Sequence, residues 1–238
     1  MLKGSSICLL AMVLAASSTS RCVGENAAKG ELAKWQAHRD RLKTDPSLIV
    51  YYTFEEGEGS KLMNRATTGS KPASVGGIAI EETTSPTDGD VREAKWEPKG
   101  RVPGKACLYF DGKGTARVVC GKPSVINNLK QKTLVAWIKV MGKGFSGNGR
   151  ILCKTGTETE AAYSPGWCFS ISTPDENGKF RVCYLQNFSE HVGDWMCDAD
   201  LDLNKWYHVA VTHDSASAGN QPAFFINGES QRAIVNQG

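Results

Sequence analysis

The segment from residue 96 to residue 121 constrains the fold more than any other, because it contains two strand-like runs around a tight turn. Apolar and polar side chains alternate over 107–110, and the alternation resumes over 116–120. Between them, Asp-Gly-Lys-Gly at 111–114 supplies glycines, which adopt positive φ without strain. The pattern predicts an antiparallel β-hairpin.

This hairpin in turn predicts a disulfide bond. A turn centred between Lys113 and Gly114 places Cys107 directly opposite Cys120. Opposed residues of an antiparallel pair have Cα atoms roughly 4.5 to 5.5 Å apart, which is within the range that a disulfide bridges. The alternative is that the two cysteines are small buried side chains on neighbouring strands.

The composition predicts one globular domain. The chain has 238 residues, of which 40% are hydrophobic and 22% charged, enough to bury one sizeable core. Its 28 basic and 25 acidic residues give a net charge of +3 and are spread without a basic tract. Binding to nucleic acid, which needs concentrated positive charge, is therefore not expected.

Residues 1–24 have the layout of a secretory signal peptide. Lys3 precedes the apolar run 7–16, and small residues follow that run. The run is too short to cross a bilayer, and no other segment approaches the length needed. An uncleaved anchor or a disordered tail is the alternative. The layout predicts a soluble chain that is secreted or held at the cell surface, not one that spans the membrane.

Export into an oxidising compartment would make the cysteines disulfide partners. Signal cleavage beyond the second cysteine leaves six. A turn within 174–177 places Cys168 opposite Cys183. Cys153 and Cys197 then remain as a third pair by elimination, which is one of several pairings that six cysteines permit. No C-x-x-C spacing is present, so a zinc site is not expected.

Five segments carry further motifs. They are LIVYYTFEEGEG at 48–59, WEPKGRVPGKACLYFDG at 96–112, TLVAWIKV at 133–140, KWYHVAVTHD at 205–214 and AFFINGE at 223–229. In this order they resemble the laminin G-like (LamG-like, concanavalin A-like) jelly-roll family. The resemblance implies an all-β fold, a two-sheet antiparallel jelly-roll sandwich, over residues 47–238. It implies no particular ligand, because proteins of this fold bind many different molecules.

The same resemblance bears on the end of the chain. Family members usually continue beyond the Asn-Gly hairpin with further strands, so the last strands of the sandwich are expected to be missing. Either the chain is a fragment of a longer protein, or a partner strand covers the exposed edge.

Residues 25–46 are expected to form a short charged helical linker ahead of the sandwich. Apolar residues recur there at three- and four-residue steps, and Asp45-Pro46 ends the pattern. A partly frayed linker is the alternative, because an isolated helix of this length is marginal in water. Residues 67–104 are polar and rich in turn residues, and they predict a long surface excursion with one strand at 77–82.

Alternation between turn signals predicts the remaining strands and the core. The strands are expected near 132–140, 150–154, 166–172, 179–186, 205–213 and 221–227. The side chains expected between the two sheets are Trp137, Trp167, Phe169, Val182, Tyr184, Val209, Val211 and Phe225.

One set of acidic residues qualifies as a candidate metal site. Asp198, Asp200 and Asp202 alternate, so on a strand they would point the same way and offer oxygen ligands to calcium, the one cofactor considered. They lack the glycine and the distal glutamate of an EF-hand loop. The alternative is a set of ordinary surface carboxylates.

Other polar residues carry weaker signals. The glutamates at 55–58 lie in a glycine-rich loop and lack the E-x-D-x-x-E strand pattern of the related glucanases, so catalysis is not expected from them. His208 and His213 have opposite parity on one strand and cannot share a site. Asn187 begins an Asn-Phe-Ser glycosylation sequon, which has meaning only in a eukaryotic secretory pathway.

These features favour a secreted, non-catalytic binding or adhesion module, whose partner is a glycan or an extracellular protein. The sequence contains no paired acids, nucleophile with a base, or metal-ligand cluster that would favour an enzyme. The alternative is a structural or accessory piece of a larger cell-surface assembly, and an enzyme of the glucanase or lyase type is a third hypothesis. The loops after Gly142, Thr155 and Phe188 are the expected places for a binding site.

Overall fold

The computed structural model describes residues 18–66, 88–120, 126, 129–144, 149–154, 166–188 and 191–237. Within them the chain forms, in order, α1 (Ser18–Leu42), β1 (Lys61–Leu62), β2 (Gly89–Arg92), β3 (Lys95–Glu97), β4 (Cys107–Tyr109), β5 (Arg117–Val119), β6 (Gln131–Lys139), β7 (Gly149–Lys154), β8 (Trp167–Ile171), β9 (Phe180–Asn187), β10 (Val192–Leu201), β11 (Trp206–Asp214), β12 (Ala223–Ile226), β13 (Glu229–Gln231) and β14 (Ala233–Gln237).

Two antiparallel sheets carry the core. One has the strand order β14-β10-β9-β8-β7, and the other has the order β13-β12-β11-β6. Their inner faces meet in a single cluster of buried side chains. Two smaller sheets, β1-β2-β5 and β3-β4, are formed by strands that precede β6. The prediction of an all-β, two-sheet antiparallel sandwich with an N-terminal helix is confirmed.

The inner faces follow the alternation expected of strands with one buried side. In β9, Phe180, Val182 and Tyr184 are buried, while Arg181 and Cys183 between them face outward. Burying one side chain of this size contributes about 1.5 to 3 kcal/mol. The largest fully buried side chains of the two sheets are Phe169, Val182, Tyr184, Leu201, Val209, Val211 and Phe224.

Two side chains predicted in the core lie outside it. Trp137 is 46% exposed, because the inner parity of β6 belongs to Leu134, which is buried. Phe225 is only partly buried, because its neighbours Phe224 and Ile226 occupy the inner face of β12. Both errors have one cause: these strands carry apolar residues on both parities, so side-chain size alone does not show which parity faces inward.

The predicted central hairpin is wrong in its pairing. β4 pairs with β3, which places Cys107 opposite Glu97, and β5 pairs with β2. A turn between β3 and β4 brings the two strands together. In this turn the Lys105 amide donates to the Val102 carbonyl at 3.0 Å, and the Gly100 amide donates to the Lys105 carbonyl at 2.7 Å. The segment 111–114 therefore leads from one small sheet to another. Cys107 and Cys120 therefore lie on strands that do not pair, and the register from which their disulfide was predicted is absent.

The predicted pairing of Cys168 with Cys183 is also displaced. Cys168 lies opposite Leu185, and Cys183 lies opposite Ser170, so the two cysteines are diagonal neighbours. The β8–β9 turn lies one residue later than expected, because the Asp175 carboxylate accepts the amides of Asn177 and Lys179. Gly178 then adopts the left-handed conformation at φ 73°. Diagonal Cα atoms are roughly 7 to 8 Å apart, too far for an unstrained disulfide.

The third predicted pair, Cys153 with Cys197, is separated across the sheet. Cys153 is on β7 and Cys197 is on β10, with β8 and β9 between them. Three strand spacings amount to roughly 14 Å. Moreover, the Cys197 side chain belongs to the buried core. The pairing by elimination is therefore incompatible with this sheet order.

Helix α1 includes most of the predicted linker and begins within the predicted signal peptide. Its Trp35 ring receives the Lys105 ammonium, whose Nζ lies 3.3 Å from the ring centroid. Its Arg39 guanidinium forms an ion pair with the Glu55 carboxylate. These contacts attach the helix to the segments that precede β1 and β4. No helix of the described residues is long and apolar enough to cross a membrane. Residues 1–17 and the predicted strand at 77–82 lie outside the described residues.

Candidate ligand-binding face

The outward side of the four-stranded sheet carries an aromatic patch, the tryptophan face. It consists of Val135, Trp137 and Lys139 on β6, Trp206, His208 and Ala210 on β11, and Phe225 on β12. The strand register brings these side chains together: Trp137 lies opposite His208, Lys139 lies opposite Trp206, and Ala210 lies between Val135 and Phe225.

Two apolar side chains of this face are strongly exposed. Val135 is 52% exposed and Trp137 is 46% exposed. Single exposed apolar residues are normal on a protein surface, but a contiguous apolar patch with polar surroundings is typical of an interaction site. The inner residues of β6 hold the strand in place, so the patch is presented on a rigid element.

Positive charge lies directly on the aromatic rings. The Arg101 guanidinium carbon is 3.8 Å from the centroid of the Trp137 ring, and Lys139 Nζ is 5.4 Å from the centroid of the Trp206 ring. Each contact of this kind contributes about 0.5 to 1 kcal/mol at an exposed site. Arg101 belongs to the turn between β3 and β4. The turn that pairs these two strands therefore also places a cation on the tryptophan face.

His208 lies between the two tryptophans and stays neutral more readily than a free histidine. Its ring centroid is 5.1 Å from that of Trp137. Burial lowers the pKa of His208, and the positive charges of Arg101 and His38 lower it further.

Next to β11, Asn227 and Gly228 both have positive φ, at 53° and 87°, and form the tight turn between β12 and β13.

Comparison with known proteins agrees with this architecture. The family model of the concanavalin A-like lectin/glucanases superfamily matches residues 108–238, which is more than half of the chain. The chain belongs to this superfamily. Neither the search of curated proteins nor the search of solved structures found a match. Domains of the concanavalin A-like superfamily often bind glycans or proteins, and some members are glucanases.

The three aspartates of the predicted calcium site each lie beside a cation. Asp198 accepts from Arg232 Nε at 3.1 Å, and Asp200 accepts from Arg181 Nε at 2.8 Å. Hydrogen bonds from the ammonium groups of Lys179 and Lys205, at 2.6 and 2.7 Å, hold the pKa of Asp202 well below its usual range. In the part of the chain that the structure describes, no group of three or more acidic, histidine or cysteine side chains is placed to hold a metal ion. Calcium binding at these aspartates stays a prediction, and it would require breaking these ion pairs.

Asn187 and the glutamate loop occupy separate places. Asn187 ends β9, and its backbone amide donates to the Gly166 carbonyl at 2.9 Å. Ser189 of its sequon lies outside the described residues, as do most residues of the loop after Thr155. Glu55 pairs with Arg39, and Glu56 accepts from Arg65 at 2.8 Å. The structure therefore gives both glutamates a cationic partner.

His208 and His213 lie on opposite sides of β11, as the sequence predicts. His213 is only 3% exposed and packs among aromatic rings, with centroid distances of 5.3 Å to both Tyr184 and Trp195. Its Nε2–H donates to the Asn220 carbonyl at 3.1 Å, and its Nδ1 has no hydrogen-bond partner. Burial is the main cause that lowers the pKa of His213.

This burial predicts loss of stability in mild acid. The folded state disfavours protonation of His213, whereas the unfolded chain takes up the proton near pH 6.5. The free energy of unfolding therefore keeps the full contribution of the neutral His213 above about pH 6.5. That contribution falls as the pH drops toward the folded-state pKa, by at most about 1.4 kcal/mol per pH unit for one proton. We expect His213→Gln to flatten the decline in the free energy of unfolding, measured by urea titration between about pH 7.5 and pH 5.

His208→Gln is the comparison on the outer face of β11: its pKa is lowered as well, so this variant should also flatten the decline, and the two effects should add in the double variant because the sites are far apart. An unchanged pH slope in His213→Gln would contradict the assignment of this effect to the core histidine.

Proposed function

We propose that the chain is a non-catalytic extracellular binding module whose tryptophan face docks an acidic surface of a partner protein. The observation that carries this proposal is the exposed Trp137 ring with the Arg101 guanidinium packed on it. Membership of a superfamily whose domains often bind glycans or proteins supports the broader assignment.

The composition of the face favours a protein partner. Tryptophan and arginine are among the residues that contribute most to binding energy at protein interfaces, especially near the centre of a contact. Val135 is two residues from Trp137 on β6, and it forms the neighbouring cross-strand row with Ala210 and Phe225, all of them apolar. A sugar ring would need an open aromatic face, and Arg101 covers one face of the Trp137 ring. The arrangement therefore suits a protein surface better than a glycan.

The charge of the face favours an acidic partner. Arg101 and Lys139 are its cations, and the residues that define the face include no carboxylate. The carboxylate of Asp214 lies on the same side of β11 but at the opposite end of the strand, where it accepts from Gln131 at 2.9 Å. Complementary charge accelerates association and opposes partners of like charge.

The absence of catalysis and the extracellular location rest on different arguments. The glutamates at 55 and 56 and the three aspartates on and beyond β10 are engaged with cations, which does not favour a pair of free catalytic acids. The extracellular location rests on the signal-like residues 1–24 and on the superfamily, whose LamG-like domains are commonly extracellular.

An array of extracellular matrix proteins and a glycan array, each probed with the full chain, test this proposal. On the protein that binds, Trp137→Ala is expected to lower the affinity by about 30-fold or more, as loss of a central interface residue does. Val235→Ala is the matched control, because Val235 is 51% exposed but lies on β14 of the other sheet. Raising the ionic strength is expected to weaken binding of the unsubstituted chain, because salt screens the charges of Arg101 and Lys139.

Three results would contradict the proposal. Binding that survives Trp137→Ala would place the site elsewhere, and binding only to glycans would exclude a protein partner. Silence on both arrays would support a structural piece without a small ligand. Repeating both arrays with a chelator separates out any calcium-dependent binding at Asp198, Asp200 and Asp202.

A further inference from the structure

The geometry points to a cross-strand disulfide between Cys153 of β7 and Cys168 of β8. The two residues lie directly opposite each other in the antiparallel register. Cα atoms of such a pair are roughly 4.5 to 5.5 Å apart, within the range that a disulfide bridges without backbone movement. This bridge is independent of the tryptophan face, which belongs to the other sheet.

The two facing thiols share a hydrogen bond. In β8, Cys168 alternates with the buried Trp167 and Phe169, so this sulfur pair lies on the outer face of the five-stranded sheet. An oxidant can approach it there more readily than it can approach the core cysteine Cys197, which is fully buried.

The remaining described cysteines do not compete for this bond. Cys183 is diagonal to Cys168 and lies opposite Ser170 and Met196. Cys107 lies opposite Glu97 in a different sheet, and the Tyr52 hydroxyl donates to the Cys120 sulfur. Among the described cysteine pairs, direct opposition in a strand register occurs at Cys153 and Cys168.

The shared hydrogen bond also bears on which thiol reacts first. It lowers the pKa of Cys168 and raises that of Cys153, and the positive charge of Arg150 favours the thiolate at both. Exchange can start from either thiol, and the direction of these shifts favours Cys168. Burial raises the pKa of the neighbouring Cys183 to about 12, which makes that thiol a poor nucleophile.

The oxidant is a disulfide of the exchange-catalyst or glutathione class. The Cys168 thiolate attacks one sulfur of that disulfide, forms a mixed disulfide and releases the other sulfur as a thiol. The Cys153 sulfur then attacks Cys168, closes the bridge and releases the second thiol. Two electrons pass to the oxidant, and the two protons of the cysteine thiols end on its sulfurs. The chemistry balances without a further reactant.

The bridge would fasten an edge strand. Among the described strands, β7 is the outermost of its sheet, next to β8. An edge strand presents unpaired backbone groups and separates most easily from its sheet. A bond at Cys153 ties this edge to the strand whose Trp167 and Phe169 are anchored in the core.

Tryptic mapping without reductant identifies the bond in the full chain, expressed with export into an oxidising compartment and alkylated at low pH. Trypsin places Cys153 on the peptide 151–154 and Cys168 on 155–179, while Cys183 and Cys197 share the peptide 182–205. The expected product joins 151–154 to 155–179, which carry Cys153 and Cys168. A link from 155–179 to 182–205 would instead show Cys168 bonded to Cys183 or Cys197, which fragmentation of the linked peptides distinguishes. That link, a link from 151–154 to 182–205, or an alkylated 151–154 peptide would overturn the inference.

Thermal unfolding with and without reductant gives a second measurement. Reduction is expected to lower the Tm of the native chain by about 6 to 12 °C, given the short loop between the two cysteines and the size of the domain. The double variant Cys153→Ser with Cys168→Ser should show no such shift. Cys183→Ser, on the same outer face, should keep it. A reductant shift that persists in the double variant would overturn the assignment.

Discussion

Replacing Phe224 by alanine is expected to lower the free energy of unfolding by about 3 to 5 kcal/mol. Phe224 is fully buried in the cluster between the two sheets. It sits in β12, whose register with β11 places it opposite Val211, which is also buried. Truncation removes the ring from the core and leaves a cavity that neighbouring strands cannot fill without shifting. Denaturation in urea, followed by tryptophan fluorescence, measures the loss.

The adjacent Phe225 provides a control of the same residue type. Its side chain lies on the tryptophan face, opposite Ala210, and is only partly buried. Phe225→Ala is expected to cost roughly 1 kcal/mol, as a partly exposed substitution does. Equal losses at the two positions would mean that β12 does not present one face to the core, and the sandwich register would then be wrong.

The sequence was sufficient to predict the general architecture. Alternation in β9 and β11 placed Val182, Tyr184, Val209 and Val211 in the core, and all four are buried. The parity is visible in these strands because polar residues mark the outward side, Arg181 in β9 and His208 and Thr212 in β11. The Asn-Gly turn at 227–228 likewise predicts the β12–β13 hairpin, because it supplies two residues that tolerate positive φ.

Competition between neighbouring turns made the cysteine register hard to predict. The chain turns back at 100–105, where the amides of Lys105 and Gly100 complete two backbone hydrogen bonds, so β4 pairs with β3 and not across the turn at 111–114. Asp175 similarly shifts the β8–β9 turn by one residue through hydrogen bonds to the backbone. Local sequence indicates that each turn exists but does not rank one against another. Moving the turn by one residue is enough to place Leu185 instead of Cys183 opposite Cys168.

The tryptophan face was missed because it depends on parity and on a distant residue. Trp137 was assigned to the core for its size, although Lys139 on the same parity indicates a face turned to solvent. Nothing near Arg101 in the sequence shows that it will lie on the ring of Trp137, since the two are brought together by the pairing of separate elements. Most cations beside the aspartates of the calcium hypothesis are also distant in sequence: Arg232 at Asp198, Arg181 at Asp200 and Lys179 at Asp202 come from other strands or their turns.

Gly193→Ala is expected to lower the free energy of unfolding by about 3 kcal/mol, although it adds a single methyl group. A Cβ atom at Gly193 would lie 2.0 Å from the ring of Trp195, which folds back over this position. Trp195 is buried and stacks on Tyr184 with ring planes 19° apart, so it has no free space into which to move. The methyl group must therefore displace Trp195, and with it the aromatic packing around His213.

Near-ultraviolet circular dichroism should detect the displaced tryptophan in Gly193→Ala, and urea denaturation should give the loss of stability. The matched control is Gly142→Ala, because a Cβ atom there meets nothing within 4 Å. At that position alanine is expected to change stability by less than about 0.5 kcal/mol. If both variants kept the native spectrum and stability, Trp195 would not occupy the space above Gly193. The aromatic packing that keeps His213 neutral would then need a different description.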